Sequence, residues 1–411
     1  MIDTLHHGRV SAIDDMQSFD VIVIGLGAMG SAAVYQLAKR DVKVLGVDQF
    51  APPHIFGSTH GETRITRLAV GEGVEYVPFV MRSHEIWREI ETEAGYDLLT
   101  QCGGLIMASK SIVGVHHGES NFVRKTIEVA QQHNIKHEVL STNEIQKRFP
   151  QFNLVGDEEG YYEPSAGFVN PEKCIEAQLS LAQKHGATLQ TNERVLSYET
   201  NSIKTDKGTY NAQKIIITAG AWLNCFLKGY EDKFKIYRQV VFWFALKDNF
   251  PKYKPDAMPI YIWMYGNGFD GYFYGFPSID GTSIKVAREQ FEITSDVDEV
   301  NREVSQDEIK TMYENCLRER LKDLSANCVK TSTCLYTVTP DSKFVIDLHP
   351  QFENIIIASP CSGHGFKHSS AIGETLAQLA IDGTSEIDIS KFLIPMDFVV
   401  KENLPNEIAL T

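Results

Sequence analysis

Two patterns in the chain carry chemistry. The first is Gly25, Gly27 and Gly30, spaced as G-x-G-x-x-G, with Asp48 downstream. Gly25 allows a tight turn, Gly27 lets the backbone approach a pyrophosphate, and Gly30 lets a helix seat closely on a sheet. Free N–H groups and partial positive charge at such a helix start suit phosphate, and Asp48 can accept hydrogen bonds from a ribose 2′-hydroxyl. The second pattern is KTSTCLYTVTPD, residues 330–341, a thiol at Cys334 with Tyr336 two places on. A disulfide, a metal ligand, a nucleophile, a cofactor anchor and an ordinary half-buried cysteine all fit that stretch taken alone.

The surrounding elements narrow the choice. FDVIVIG reads as a buried strand, GLGAMGSAAVYQLAKR as a helix and VKVLGVD as a second strand ending in Asp48. That βαβ unit is the context that gives the glycine motif meaning. A helix is predicted from about Tyr76 to Ala94, another over NPEKCIEAQLSLAQKHGA, and a strand over YNAQKIIITAGAWL. The passage IIITAGAW resembles the downstream nucleotide-contacting strand of FAD proteins, which favours FAD over NAD. Between Phe226 and Asn327, alternating aromatic segments such as VVFWFAL and GYFYGFP predict antiparallel strands. The chain then closes on a strand, a glycine loop and an amphipathic helix in FENIIIASPCSGHGFKHSSAIGETLAQLAIDG. The expected fold class is α/β plus α+β. A Rossmann-type FAD-binding domain (18–90, 163–225 and 330–398) interleaves with a mainly antiparallel substrate domain (91–162 and 226–329), and residues 1–17 form an extension.

Composition sets limits on partners. With 411 residues, 43% hydrophobic and 23% charged, the chain can bury a large core in two domains. A net charge of −15 argues against nucleic-acid and anionic-membrane partners. An anionic substrate would therefore need cations gathered locally. The seven scattered cysteines form no CxxC pair or zinc-spaced cluster, so neither a disulfide framework nor a metal is expected. The leader MIDTLHHGRVSAIDDMQ lacks an apolar core, no run reaches a span of about 18 apolar residues, and EIALT is not an SKL-type address. A cytoplasmic protein is expected.

GSTHGETRITR (57–67), KTSTCLYTVTPD and CSGHGFK (361–367), in that order, resemble the monomeric sarcosine oxidase and N-methyltryptophan oxidase family. The likeness runs from about Phe19 to the last helix. It implies a monomeric FAD enzyme that oxidises a secondary amino acid, N-methyl or cyclic, with O2. The products are an imine and H2O2, and an N-methyl substrate ends as formaldehyde and a primary amine. Cys334 matches the cysteine that carries the flavin through an 8α-thioether; Lys330 and Lys343 are the cations nearest it in sequence that would favour its thiolate. Arg67 and Lys367 match the cations that hold the substrate carboxylate. Thr63 and Arg64 match flavin contacts, and Tyr274 and Tyr336 match the walls of the substrate cavity. Lys285 matches a lysine at the flavin's reactive face, where a fixed cation would stabilise superoxide. Without the likeness, each of these would be read as an ordinary surface or core residue.

The CSGHGFK loop has a further physical role. Gly363 and Gly365 let the backbone come close to a flavin, with His364 between them, and a helix starting near Lys367 or Ser369 would aim its positive end at the flavin's N1–C2=O edge. In the implied reaction the bound amine loses its ammonium proton and the adjacent C–H is delivered to flavin N5, a scheme that demands no strong protein base. One position departs from the family, Glu289, where a histidine is usual; it either changes the pocket's charge or turns outward to Arg288. YIWMYGNGFDGYFYGFP also looks longer than in close relatives, so the substrate stays open among sarcosine, bulkier N-methyl amino acids and cyclic imino acids. A flavin dehydrogenase using another electron acceptor, which Lys285 argues against, and a non-catalytic flavin-binding protein are the alternatives.

Overall fold

The computed structural model describes residues 17–112, 115–117, 119–248, 250–267, 271–290, 297–395, 398 and 408–410. The β-branched runs found in the sequence make the centre of a nine-stranded sheet. Gln17–Ile24 lies parallel to Val44–Asp48 on one side and to Thr209–Ile217 on the other, and Ile355–Ser359 continues the parallel order beyond Thr209–Ile217. Ile22 pairs with Leu45 and Ile215, and Ile215 with Ile355, so the register lines up a row of fully buried aliphatic side chains. Each such burial stabilises by about 1.5–3 kcal/mol, which explains why these strands read as unbroken apolar runs.

Helices cover the sheet as the pattern predicts. Ala28–Ala38 packs against Ser369–Asp382 and Pro171–Lys184, and small residues let these axes approach: a Cβ on Gly373 would lie 2.3 Å from that of Ala32. Pro171–Lys184 begins with Asn170, whose side chain accepts from Lys173 N, and has Pro at its first position. Val77–Ala94 ends at Gly95 in the left-handed conformation. Among the described residues no helix is long and apolar enough to cross a membrane.

An eight-stranded sheet stands beside the first. Its order is Leu324–Val338, Lys235–Leu246, Ser283–Ala287, Tyr272–Gly275, Ile260–Met264, Gly104–Ser109, Glu158–Glu163 and Glu138–Ser141. All neighbours are antiparallel except Ile260–Met264 with Gly104–Ser109. The boundary expected at residue 330 falls inside the strand Leu324–Val338, which pairs with Lys235–Leu246 along most of its length. Residues 330–338, Cys334 included, therefore belong to this second sheet. Of the N-terminal extension, Gln17 is already the first strand residue and residues 1–16 lie outside the described part. Residues 268–270 of the segment expected to be long also lie outside it.

Candidate active site

The glycine motif makes a cradle. Gly25 has φ +88°, and Leu26 N donates to Asp48 Oδ2 at 2.7 Å while Phe50 N donates to Oδ1 at 2.8 Å. A Cβ on Gly30 would fall 1.7 Å from the Gly25 carbonyl oxygen, so that glycine is obligatory for seating the helix. A Cβ on Gly27 would meet only Thr59 Oγ1, at 3.7 Å, because Gly27 borders a long cavity. That cavity runs past Asp48, Thr218 and Trp222 to Arg64, Tyr336 and Gly363. Open space over Gly27, a helix start and a buried acid at the strand end fit a dinucleotide such as FAD.

At the far end of the cavity the loop Gly57–Arg67 is pinned from several sides. Glu172, near the start of its helix, accepts from Gly61 N at 2.5 Å and from Glu62 N at 3.1 Å. Arg64 donates to the carbonyls of Thr63 at 2.9 Å and Ser58 at 2.6 Å. Beyond it, the fully buried Glu163 accepts from Leu68 N and Ala69 N, which fixes the backbone that carries Arg67.

A second, smaller cavity adjoins the first and brings together residues remote in sequence: Thr63, Arg67, Tyr274, Lys285, Tyr336 and Lys367 all line it. Lys285, buried on the strand Ser283–Ala287, donates to the carbonyls of Gly61 at 2.6 Å and Thr63 at 2.8 Å and reaches Thr63 Oγ1 at 3.2 Å. Burial, and then Arg64, push its pKa well below the lysine range, yet three oxygens around Nζ are the shell an ammonium would choose. Tyr274 and Tyr336 stand together in the wall of this cavity. In the CSGHGFK loop Gly363 has φ +83°, and a Cβ on Gly365 would lie 1.8 Å from the Pro360 carbonyl oxygen. His364 contacts the Ser342 carbonyl through Nε2 at 3.2 Å, and Lys367 Nζ donates to the His364 carbonyl at 2.7 Å. The Ser369–Asp382 helix starts where expected, after a short 3-10 turn at Phe366–His368.

Arg67 and Lys367 converge through a residue the sequence reading missed. Glu72 accepts from Arg67 Nη2 at 2.7 Å and lies 3.6 Å from Lys367 Nζ, with its side chain 3% exposed. Burial opposes the charge on Glu72, but Arg67 and Lys367 outweigh it and hold the carboxyl well below the usual range. Burial likewise pushes the Lys367 ammonium down to about 8, against the pull of Glu72. His116 and His117 were also missed; the histidine doublet in VHHGES was their only signal. Glu289 does not turn outward: it is buried, bonded to His117 and Tyr272. Cys334 is 3% exposed, and burial pushes its thiol up while Arg64, Lys285 and Arg302 pull it down. The cations expected there from sequence lie elsewhere: Lys330 pairs with Glu62, and Lys343 lies 3.9 Å from Asp341.

Residues 20–379 match the FAD dependent oxidoreductase family. A monomeric sarcosine oxidase of Bacillus sp. (strain NS-129) is 41% identical over 392 residues, covering 93% of this chain and 98% of that protein. The chain belongs to the FAD-dependent oxidoreductases, in the sarcosine oxidase and N-methyltryptophan oxidase group. Within that group, an N-methyl-L-tryptophan oxidase of Yersinia pestis (strain Pestoides F) is 30% identical over 388 residues, 91% of this chain and 98% of that protein. Two solved structures share the fold. NikD, titled an unusual amino acid oxidase essential for nikkomycin biosynthesis, has a TM-score of 0.80 at 22% identity, covering 92% of this chain and 98% of that one. An L-proline dehydrogenase from P. horikoshii has a TM-score of 0.76 at 20% identity, covering 92% and 97%.

Proposed function

We propose that this flavoenzyme oxidises a secondary amino acid with O2, giving an imine and H2O2. The observation that carries the reading is the convergence of Arg67 and Lys367 on one buried carboxylate, in a cavity shared with Lys285 and continuous in its lining residues with the FAD cradle. An acidic chain has gathered two cations where a substrate carboxylate would replace or join Glu72. Tyr274 and Tyr336 would wall in the rest of the substrate and exclude water. FAD, when bound, would supply the acceptor for the hydride, with its two electrons, from the C–H beside nitrogen. Orientation of that C–H by the cations and the pre-set field around it would supply most of the rate. Lys285, fixed between two carbonyls, would stabilise negative charge developing on oxygen. Thr63, Arg64, Gly363, His364 and Gly365 would border the flavin, and Cys334 would hold it by a thioether, with Arg64, Lys285 and Arg302 favouring the thiolate. We read the enzyme as a cytoplasmic monomer. The test is aerobic turnover of sarcosine, N-methyl-L-tryptophan, L-proline and L-pipecolate. At least one should yield peroxide in a 1:1 ratio to amine consumed; fast flavin reduction without peroxide would mean a dehydrogenase instead.

A further inference from the structure

The oxidation scheme needs the amine unprotonated, while a secondary amino acid arrives from neutral water as its ammonium form. Glu289 and His117 stand where that proton could go. Glu289 Oε1 lies 3.0 Å from His117 Nδ1, and the Tyr272 hydroxyl donates to Oε2. Both side chains are more than nine-tenths buried and line the same cavity as Arg67, Lys285 and Lys367. They pack against the loop at Gly363, where a Cβ would lie 2.6 Å from His117 Cε1, 2.8 Å from Glu289 Oε1 and 3.0 Å from Tyr336 Cε2. Glycine there is what lets the pair reach the cavity.

Resting on the reading above, we propose that Glu289 and His117 together accept the ammonium proton of the bound substrate. The step balances simply: one N–H bond of R2NH2+ breaks, the electron pair stays on nitrogen, and the proton is taken up by the pair. The pair passes from a net charge of −1, carboxylate beside neutral imidazole, to zero. Burial keeps His117 neutral beforehand, although Glu289 and Glu72 pull in the other direction. In a buried site a neutral pair is favoured over a charged one.

The groups facing the pair set the order of events. Arg67 and Glu72 face it from the loop after Arg64, Lys367 and His364 from the CSGHGFK loop, and His116 from its own hairpin. Tyr272, Tyr274 and Tyr336 face it from two strands, and Lys285 lines the cavity from the strand leading to Glu289. Before substrate enters, Arg67 and Lys367 favour the anionic pair. A substrate carboxylate seated on those cations cancels part of their field, so the pair's affinity for a proton rises as the amine arrives. A metal at Glu72, His116 and His117, whose ligand atoms fall within 4.8 Å of one another, is the competing use of the same groups. Two cations already bound to Glu72 argue against it.

The experiment is anaerobic stopped-flow reduction of the full-length holoenzyme by sarcosine and by L-proline across pH. Limiting rates at saturation set aside the separate loss of carboxylate binding as Lys367 gives up its charge above about pH 8. In Glu289→Gln the limiting rate should fall about tenfold or more near neutral pH and return to within about twofold of wild type in strong alkali, where the amine is already free. His117→Asn keeps a donor toward Glu289 but cannot take a proton, and should shift the same limb to higher pH. Binding of a thioether acid of the same shape, read by the visible spectrum, should stay within about threefold in both variants, since it carries no ammonium. An unshifted profile, or a loss of rate equal at every pH, would overturn the proposal alone. Failure of every secondary amino acid to reduce wild-type flavin would overturn the oxidase reading beneath it as well.

Discussion

Two residues of this pocket, Glu72 and His117, could not be placed there from the sequence. Their roles come from long-range packing: Glu72 meets Lys367, and His117 meets Glu289, across the fold. Arg67, Lys285 and Lys367, which share one cavity, and Cys334 could be singled out because short motifs carry them, although their partners could not. Cys334 shows the difference. Its position followed from the motif, but the cations that act on it come from three distant segments, at Arg64, Lys285 and Arg302. Loss of the thiol tests its role at this scale. Acid precipitation of the wild-type protein should give a yellow pellet, whereas Cys334→Ser should release all its flavin to the supernatant while keeping its fold. Flavin wholly in the wild-type supernatant would end the thioether reading.

At the scale of elements, prediction from pattern worked where local and global demands agree. The βαβ unit, the Val77–Ala94 and Pro171–Lys184 helices and the last strand–loop–helix all formed as read, since buried strands and amphipathic helices announce their own period. The boundary read at residue 330 falls inside one long strand, Leu324–Val338, which carries both the sheet pairing and Cys334, the thiol we propose as the flavin anchor. Nothing in its composition marks that double duty. The cradle separates two glycine roles that the motif alone merges. Gly30→Ala should cost about 1–3 kcal/mol in thermal unfolding, because its Cβ would strike the Gly25 carbonyl. Gly27→Ala should leave stability within about 0.5 kcal/mol but lower flavin content, because its Cβ would project toward the open cavity. Equal effects of the two substitutions on stability would contradict this division.

For the whole molecule, the fold sets one sheet to hold a dinucleotide and another to wall a pocket, and the residues of the pocket come from both. Thr63 and Arg67 bracket the short strand Arg64–Thr66 and Lys367 lies in the turn between Ile355–Ser359 and Ser369–Asp382, while Tyr274, Lys285 and Tyr336 stand on the eight-stranded sheet. The net charge of −15 makes the local meeting of Arg67, Lys285 and Lys367 more telling, since the surface as a whole would repel a carboxylate. We propose that these cations present a carboxylate-bearing secondary amine to the flavin. This proposal is tested most directly by anaerobic titration of the holoenzyme with an N-methyl amino acid and with its methyl ester, following the visible flavin band. The acid should bleach the flavin completely, and the ester, lacking the carboxylate, should bleach it at least about a hundredfold more slowly. Equal rates with the two compounds, or no bleaching by any secondary amino acid, would contradict it.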